Sequence, residues 1–320
     1  PDKVWIKVRS IVDNHYIQDS SRGFGFSKSL STNTTGAEGA NGGSPGSTKV
    51  DSVSSSNIVV TGPDFTYQSA TYVAWLWRAN GGTTSTNTQG DIDSTVQVDP
   101  SGCFSIVKYT GTLSSSGVQT VGHGLSKAPS YRITKGIEKT GNWWVFSDGQ
   151  TSWNYGLNLN STGASTDKSG NGSMSAPTST VFSTNYTDGL NDSTGNDMIA
   201  YCFANCEGYI KSGSYVGNGD GSDGTFVYLG FRPAFLMVKG VISGSHWQII
   251  DNKRDGYNPT PESLDSGETD ASYTGAAPFA DLLSNGFKVR TNNAVMGSSS
   301  YDPYVYLAMA DVPAKYATAR

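Results

Sequence analysis

Short apolar stretches separated by polar turn residues recur along the whole chain. In Phe104-Ser-Ile-Val-Lys-Tyr109 the apolar side chains favour one face, as in a strand that covers a core. Residues 304–309 are apolar on both faces, which is typical of a central, covered strand. Asn285-Gly286 predicts a hairpin turn, and the only helix-like stretch, 278–284, is enough for a turn or two. The pattern predicts an all-β protein.

Three landmarks repeat in one order. A proline is followed six positions later by a lysine, an aromatic strand ends in aspartate, and a closing apolar strand ends in alanine. The distance from lysine to alanine is 72, 69 and 71 positions in the three copies. Such a register predicts three tandem modules of one fold. The landmark lysines and alanines are Lys7 and Ala79, Lys135 and Ala204, and Lys239 and Ala310.

These landmarks set the expected boundaries. Module one covers 1–79, a turn-rich connector covers 80–102, module two covers 103–207 and module three covers 208–320. Within the connector, Thr95-Val-Gln-Val98 is expected to pair as a brief strand. Many short strands bounded by turn signals favour a β-sandwich or jelly-roll-like module in each copy.

Module one lacks a strand that its two relatives possess. Modules two and three begin before their proline, at 104–111 and 209–217, whereas the sequence starts at the proline of module one. An unpaired sheet edge would result. We expect upstream sequence or a neighbouring subunit to fill that place, and the sequence from Pro1 to belong to a processed or longer polypeptide.

Composition narrows the classes of function. The net charge of −5 gives no basic patch of the kind that nucleic-acid binding requires. No stretch is long and apolar enough to insert into a membrane. Cys103, Cys202 and Cys206 are too few for a disulfide framework and poorly spaced for zinc. We expect three free thiols, mostly buried.

The recurring aspartates and tryptophans supply the candidate ligand contacts. Asp148 and Asp251, with Asp19, each close an aromatic strand, where an aspartate more commonly caps a turn through backbone amides. Trp143 and Trp247 would stack on sugar rings if they were exposed, although core packing is the simpler interpretation for one tryptophan in each module.

The other recurring or reactive residues point to structure rather than chemistry. Lys7, Lys135 and Lys239 are expected on sheet edges, where lysine discourages aggregation. No histidine has a neighbour at metal-ligand spacing, and no triad or paired carboxylates stand out. The loop 217–224 is rich in oxygen ligands but lacks the glutamate of a calcium loop. We therefore predict no catalytic residue, no cofactor and no metal site.

Several motifs together resemble a known repeat family. They include Pro1-Asp-Lys-Val-Trp-Ile-Lys-Val-Arg-Ser10, Phe104-Ser-Ile-Val-Lys-Tyr-Thr-Gly111, Val121-Gly-His-Gly-Leu125 and Ile199-Ala-Tyr-Cys-Phe-Ala204. This order is similar to repeats in large tail-fibre or adhesin-like structural proteins of tailed bacteriophages, chiefly marine and cyanobacterial phages. The resemblance covers nearly the whole chain and supplies no catalytic residue.

The resemblance implies a non-enzymatic virion protein, in a tail fibre or receptor-binding appendage. Its expected partners are other virion proteins and a glycan or protein of the host surface. A homotrimer is one expectation, and three modules that imitate a trimer around a pseudo-threefold axis are another. A capsid decoration or vertex protein is one alternative function. A polysaccharide depolymerase is the other, and it would show an acidic cleft with paired carboxylates.

Overall fold

The chain folds into strands joined by turns. The computed structural model describes residues 1–40, 49–187, 190–192, 195–242, 244–274, 278–300 and 303–311. Those ranges contain no α-helix, which confirms the all-β prediction. Their four single-turn 3-10 helices are Phe26–Lys28, Pro63–Phe65, Asn80–Gly82 and Ser169–Asn171.

Module one contains a four-stranded sheet covered by a hairpin. The sheet has the order β3-β2-β1-β6, and β4 and β5 pair separately. Val4, Ile6, Tyr16, Val50 and Phe65 form an apolar layer between the two. The strands are β1 (Lys3–Val8), β2 (His15–Asp19), β3 (Leu30–Ser31), β4 (Lys49–Val53), β5 (Ile58–Thr61) and β6 (Tyr72–Trp77).

Module two repeats this plan with a larger sheet. Its strands are β7 (Ser85–Asn87), β8 (Ser94–Val98), β9 (Phe104–Thr110), β10 (Val118–Gly122), β11 (Tyr131–Gly136), β12 (Trp144–Ser147), β13 (Tyr155–Asn158), β14 (Thr166–Asp167), β15 (Val181–Asn185) and β16 (Asp197–Phe203). The main sheet has the order β14-β13-β12-β11-β16-β9-β8-β7, and the β10-β15 pair covers it. Tyr109, Phe146 and Phe182 lie in the layer between them. The brief strand expected in the connector is β8.

Module three has the same two layers. Its strands are β17 (Ile210–Tyr215), β18 (Phe226–Tyr228), β19 (Phe235–Gly240), β20 (Gln248–Asp251), β21 (Glu262–Asp265), β22 (Tyr273–Thr274), β23 (Ala280–Leu283), β24 (Gly286–Val289) and β25 (Tyr304–Met309). The main sheet has the order β17-β25-β19-β20-β21-β22, and β18-β24-β23 covers it. Leu236, Ile250 and Phe287 lie between the layers. All three modules are therefore sandwich-like, with antiparallel sheets.

The inner faces of the three main sheets meet in one apolar core, which we call the common core. It contains Trp5 and Trp75 from module one, Tyr201 from module two, and Met237 and Leu307 from module three. Strand alternation explains this division, because successive side chains point to opposite faces of a sheet. On β1, for example, Val4 and Ile6 face the outer layer whereas Trp5 faces the common core.

Hydrogen bonds between the modules run in a closed ring. The Trp143 indole N–H donates to the Ser31 carbonyl at 2.8 Å, from module two to module one. The Trp247 indole N–H donates to the Asn158 carbonyl at 2.8 Å, from module three to module two. The Thr32 hydroxyl donates to the Ser266 carbonyl at 2.8 Å, from module one to module three. Each module thus contacts the other two within one chain.

The expectation that the three landmark lysines lie on sheet edges is wrong. Lys7, Lys135 and Lys239 lie on β1, β11 and β19, which have a neighbour on each side, and all three are fully buried. The Lys7 ammonium donates to the Val8 carbonyl at 2.7 Å, and that of Lys135 to the Gly136 carbonyl at 2.9 Å. The ammonium groups of Lys7 and Lys135 therefore bind carbonyls at the strand ends instead of water, and that of Lys239 binds the Ser245 carbonyl.

Two smaller expectations also need correction. Cys103 and Cys206 form a disulfide, with their Cα atoms 6.0 Å apart, and only Cys202 is a buried free thiol. The two half-cystines lie just before β9 and β17, so the fold brings together cysteines 103 positions apart in sequence. The helix-like stretch 278–284 contains strand β23. The hairpin expected there is present, with Leu283 opposite Gly286.

No helix within the described ranges is long and apolar enough to cross a membrane.

Candidate functional site

The two tryptophan candidates lie inside the molecule. Trp143 and Trp247 are both completely buried in the common core. Each indole N–H is bonded to a carbonyl of the preceding module. Neither ring presents a face to solvent, which agrees with the core-packing interpretation and leaves no room for stacking on a sugar in this conformation.

The aspartate candidates divide into two kinds. The Asp251 carboxylate accepts the Lys253 and Arg254 backbone N–H groups at 3.0 and 2.9 Å and pairs with the Arg254 guanidinium at 2.7 Å. Burial alone would raise the pKa of Asp251, but the Arg254 charge and these hydrogen bonds give a net lowering. Asp19 makes the same turn with Arg22, also at 2.7 Å.

Asp148 is not equivalent to the other two aspartates. Strand register places Asp19 opposite Lys3 and Asp251 opposite Phe235, whereas Ser147 occupies that position in module two, opposite Tyr131. Asp148 follows one residue later, is exposed, and accepts the Ser212 hydroxyl of module three at 3.3 Å. The four sequence candidates thus lie at different module boundaries and do not form one site.

A different group of residues converges on an open cavity in module three. The cavity has a volume of about 510 Å³, and we call it the His246 pocket. His246 precedes β20, Asp265 ends β21, and Glu268 lies on the turn that follows. One ligand atom from each of these three residues lies within 4.8 Å of the others. The pocket is further lined by Ser263, Asp270 and Tyr273.

The other modules have paired amides at the equivalent positions. The Asn33 amide donates to the Asn14 side-chain oxygen at 2.8 Å in module one, and that of Asn160 donates to Asn142 at 3.0 Å in module two. By strand register, Gly267 of module three is equivalent to Asn33 and Asn160, and His246 is equivalent to Asn14 and Asn142. Because Gly267 has no side chain to reach back, the His246 imidazole bonds to the Asp265 carboxylate instead. The contact between His246 and Asp265 therefore distinguishes module three from the other two modules.

The electrostatics of the His246 pocket are acidic. The hydrogen bond with Asp265 raises the pKa of His246, so that the imidazole carries a proton to higher pH than usual. Burial, and then the neighbouring Asp265 charge, raise the pKa of Glu268. Asp270 and Glu268 are exposed at the opening. The His246 imidazole thus faces three acidic residues, so the pocket attracts cationic groups and hydroxyl donors.

Two further groups make the pocket suitable for a ligand. Tyr273 is 61% exposed and packs edge-on against Phe279 at 5.8 Å, so its ring is held while one side remains open. The Ser263 hydroxyl is buried and has no hydrogen-bond partner among the described residues. A cavity with an aromatic wall and a few convergent polar groups is the usual form of a small-molecule site.

The same three residues could hold a divalent cation. One imidazole nitrogen and two carboxylates are suitable ligands for zinc or a similar metal, leaving a coordination position open. Binding through Nδ1 would require that imidazole nitrogen, which faces Asp265, to carry no proton. The sequence had suggested no metal site, because His246 and Asp265 are 19 positions apart and only the β20–β21 register brings them together.

Residues 1–313 match the family model described as Domain of unknown function (DUF7483). The chain belongs to this family. No curated protein and no solved structure matched it. The DUF7483 match extends across all three modules, so the common core and the His246 pocket both lie within the matched residues.

Proposed function

We propose that this DUF7483 domain is a non-enzymatic structural segment of a tailed-phage virion, in a tail fibre or receptor-binding appendage. We further propose that its third module binds a host-surface glycan in the His246 pocket. The observation that carries the proposal is the pocket itself, which combines carboxylates with an exposed tyrosine.

The chemistry of the pocket suits a polyhydroxylated or amino-bearing sugar. Asp265, Glu268 and Asp270 offer carboxylate oxygens that accept from sugar hydroxyl or ammonium groups. The Tyr273 ring offers an apolar surface for a sugar ring and a π-face for an ammonium group.

The motif order and the architecture support the placement in a virion. Repeats of this pattern resemble those of phage fibre proteins, and the three modules share one core. The Cys103–Cys206 disulfide suits a protein that works outside the host cell, because disulfides persist in oxidising surroundings. The expected partners are other virion proteins.

The glycan proposal is tested on an array of bacterial surface polysaccharides, followed by titration calorimetry with any hit. Tyr273→Ala and Glu268→Gln should each weaken binding about tenfold, or about 1.4 kcal/mol. Tyr257→Ala is the matched control, because Tyr257 is a 66% exposed tyrosine of the same module outside the pocket. Equal losses in all three variants, or no hit, would contradict the pocket as the binding site.

The virion placement is tested separately by cryo-electron microscopy of intact particles. Density for this domain on the tail or fibres supports the proposal. Density tiled over the shell would favour the alternative of capsid decoration, for which the exposed Phe226 (44%) and Tyr228 (61%) on β18 offer a contact surface. Location in a cellular filament would contradict both.

The depolymerase alternative is weaker. Retaining glycosidases place two carboxyl groups about 5 Å apart on either side of the bond that breaks. Asp265 and Glu268 instead leave one turn side by side, with the Glu268 N–H donating to the Asp265 carbonyl at 3.3 Å. The Asp265 carboxylate also forms a hydrogen bond with the His246 imidazole. The two carboxylates therefore approach a ligand from the same side.

A further inference from the structure

The turn after β21 carries carboxylates where the equivalent turn of module one carries hydroxyls. The Glu268 N–H donates to the Asp265 carbonyl at 3.3 Å, and the Thr34 N–H donates to the Ser31 carbonyl at 3.3 Å, so the two turns have the same backbone. His246 brings an imidazole to the turn of module three from the segment before β20. Three side chains that can ligate a metal therefore meet at this turn.

These three side chains can surround one ion. One ligand atom from each lies within 4.8 Å of the others. At metal–ligand bonds of about 2.1 Å the ligand atoms of a tetrahedral ion lie about 3.4 Å apart, so small side-chain rotations are sufficient. The His246 side chain is 42% exposed and Glu268 lies at the surface, so both have room to rotate. The Asp265 carboxylate is held by the Gly267 N–H, which donates to its Oδ1 at 2.9 Å.

Gln248 gives an independent indication of a ligand in this pocket. Strand register places it opposite Asp265, and it lines the same cavity. It is only 7% exposed, and its side-chain amide has no hydrogen-bond partner among the described residues. The equivalent residues, Tyr16 and Trp144, are buried aromatic rings, so the fold does not require an amide here. A buried amide without partners is costly, and an ion with its bound water would satisfy it.

The donor atoms select the class of ion. An imidazole with two carboxylates suits Zn²⁺ and similar first-row ions, whereas Ca²⁺ and Mg²⁺ prefer oxygen ligands alone. The chain has three histidines and three cysteines. Two of the histidines are completely buried, and the cysteines are either buried or joined in the disulfide. Among the described residues, His246 is therefore the only imidazole or thiol that such an ion can reach from solvent.

We propose that His246, Asp265 and Glu268 bind one divalent first-row metal ion of the Zn²⁺ class. Three protein ligands leave at least one coordination position free, which a water molecule or a sugar hydroxyl can fill. Metal binding at this turn does not depend on glycan binding, because Zn²⁺ alone is the probe. A pocket that binds Zn²⁺ but no sugar would contradict only the glycan proposal, and a pocket that binds sugar but no Zn²⁺ would contradict only the metal site.

Zn²⁺ is titrated by calorimetry into the full chain, free of affinity tags and stripped with a chelator. We expect saturable binding at a single site, and His246→Asn, Asp265→Asn and Glu268→Gln should each weaken it at least tenfold, because each removes one of three ligands. Asp223→Asn is the matched control, since this aspartate of module three lies outside the pocket with its side chain 82% exposed. It should bind within about twofold of wild type, and Ca²⁺ and Mg²⁺ should give no saturable heat.

Imidazole NMR spectra identify the ligand directly. Zn²⁺ should shift the ring signals of His246 and leave those of the buried His15 and His123 unchanged. Tm measurements without metal establish that each variant retains the fold. Absence of saturable Zn²⁺ binding, unchanged binding in His246→Asn, or equal affinity for Ca²⁺ would each overturn the proposal.

Discussion

At the scale of single residues, the three histidines have different surroundings. Burial lowers the pKa of His123 to about 4 and lowers that of His15 well below its usual value. His246 is partly exposed, and its hydrogen bond with Asp265 raises its pKa. The surroundings of His246 thus favour its protonated form, whereas burial favours the neutral form of the other two histidines.

We predict that an NMR titration will show one imidazole with a midpoint above 6.5, assigned to His246 by its loss in His246→Asn. The other two signals should not move between pH 8 and about 5. Since the folded pKa of His246 is raised, its contribution to stability is complete below the unfolded pKa of about 6.5 and is lost as pH rises through the folded value. In Asp265→Asn the midpoint should fall; an unchanged midpoint would show that this ion pair does not form in solution.

Four buried lysines make the free energy of unfolding depend on pH in an unusual way. Burial lowers the pKa of Lys7, Lys135 and Lys239 to about 8 and that of Lys3 to about 7. An unfolded lysine keeps its proton to about pH 10.4. Between these values the unfolded chain binds more protons than the folded chain, so the free energy of unfolding increases with pH.

We therefore predict a Tm that rises between pH 7 and about 9.5, before tyrosine ionisation begins. Lys3 has the largest effect, because its ammonium lies 3.7 Å from the Trp77 ring centroid and has no hydrogen-bond partner among the described residues. Lys3→Met should raise stability at pH 7 by about 1 kcal/mol and reduce the slope. Lys127→Met, at an exposed lysine, is the control. A flat profile in the wild type would mean that these lysines are hydrated.

At the scale of elements, the disulfide joins the starts of two equivalent strands. Cys103 precedes β9 and Cys206 lies before β17, and together they close a loop across 103 positions. A cross-link across so long a loop restricts the unfolded chain strongly. The disulfide therefore ties modules two and three together near the common core.

We predict that the double substitution Cys103→Ser and Cys206→Ser will lower the free energy of unfolding by about 2–4 kcal/mol, measured by urea denaturation. Alkylation of the denatured wild type should label one thiol, Cys202, without reductant and three with it. Cys202→Ala, which keeps the disulfide, should show no labelled thiol without reductant. Three labels in the unreduced wild type would show that the pair remains reduced.

Elements were predicted better than their contacts. The repeat of proline, lysine and closing strand fixed which segments are equivalent, since β1, β11 and β19 all share one register with their closing strands. The prediction that Lys7, Lys135 and Lys239 lie on sheet edges was wrong, because the local pattern of apolar and polar residues does not show whether a strand is central or at an edge. The cysteine pair and the His246 pocket were missed because each is formed by residues that are far apart in sequence and meet only in the folded chain. The Asn33 and Asn160 amides indicate that module three differs at this place only when these residues are aligned with Gly267.

At the scale of the whole molecule, the common core makes the modules interdependent. Each main sheet has two faces, and the inner face of each is covered by the other two modules. A module removed from its partners would expose that face, including large rings such as Trp5, Tyr201 and Trp247. The free energy lost by exposing so much apolar surface exceeds the net stability of a domain of this size.

The three modules should therefore unfold together, in one calorimetric transition, although the sequence suggests three domains. Leu307 lies on β25 in the common core, and Leu307→Ala should lower the free energy of unfolding by about 2–5 kcal/mol while leaving one transition. Val216→Ala, at a 62% exposed site of the same module, should change it by less than about 0.5 kcal/mol. If Leu307→Ala instead separates an early transition from a later one of wild-type Tm, module three unfolds alone. The common core would then be a contact surface between independent domains, and a shared hydrophobic core would be the wrong description.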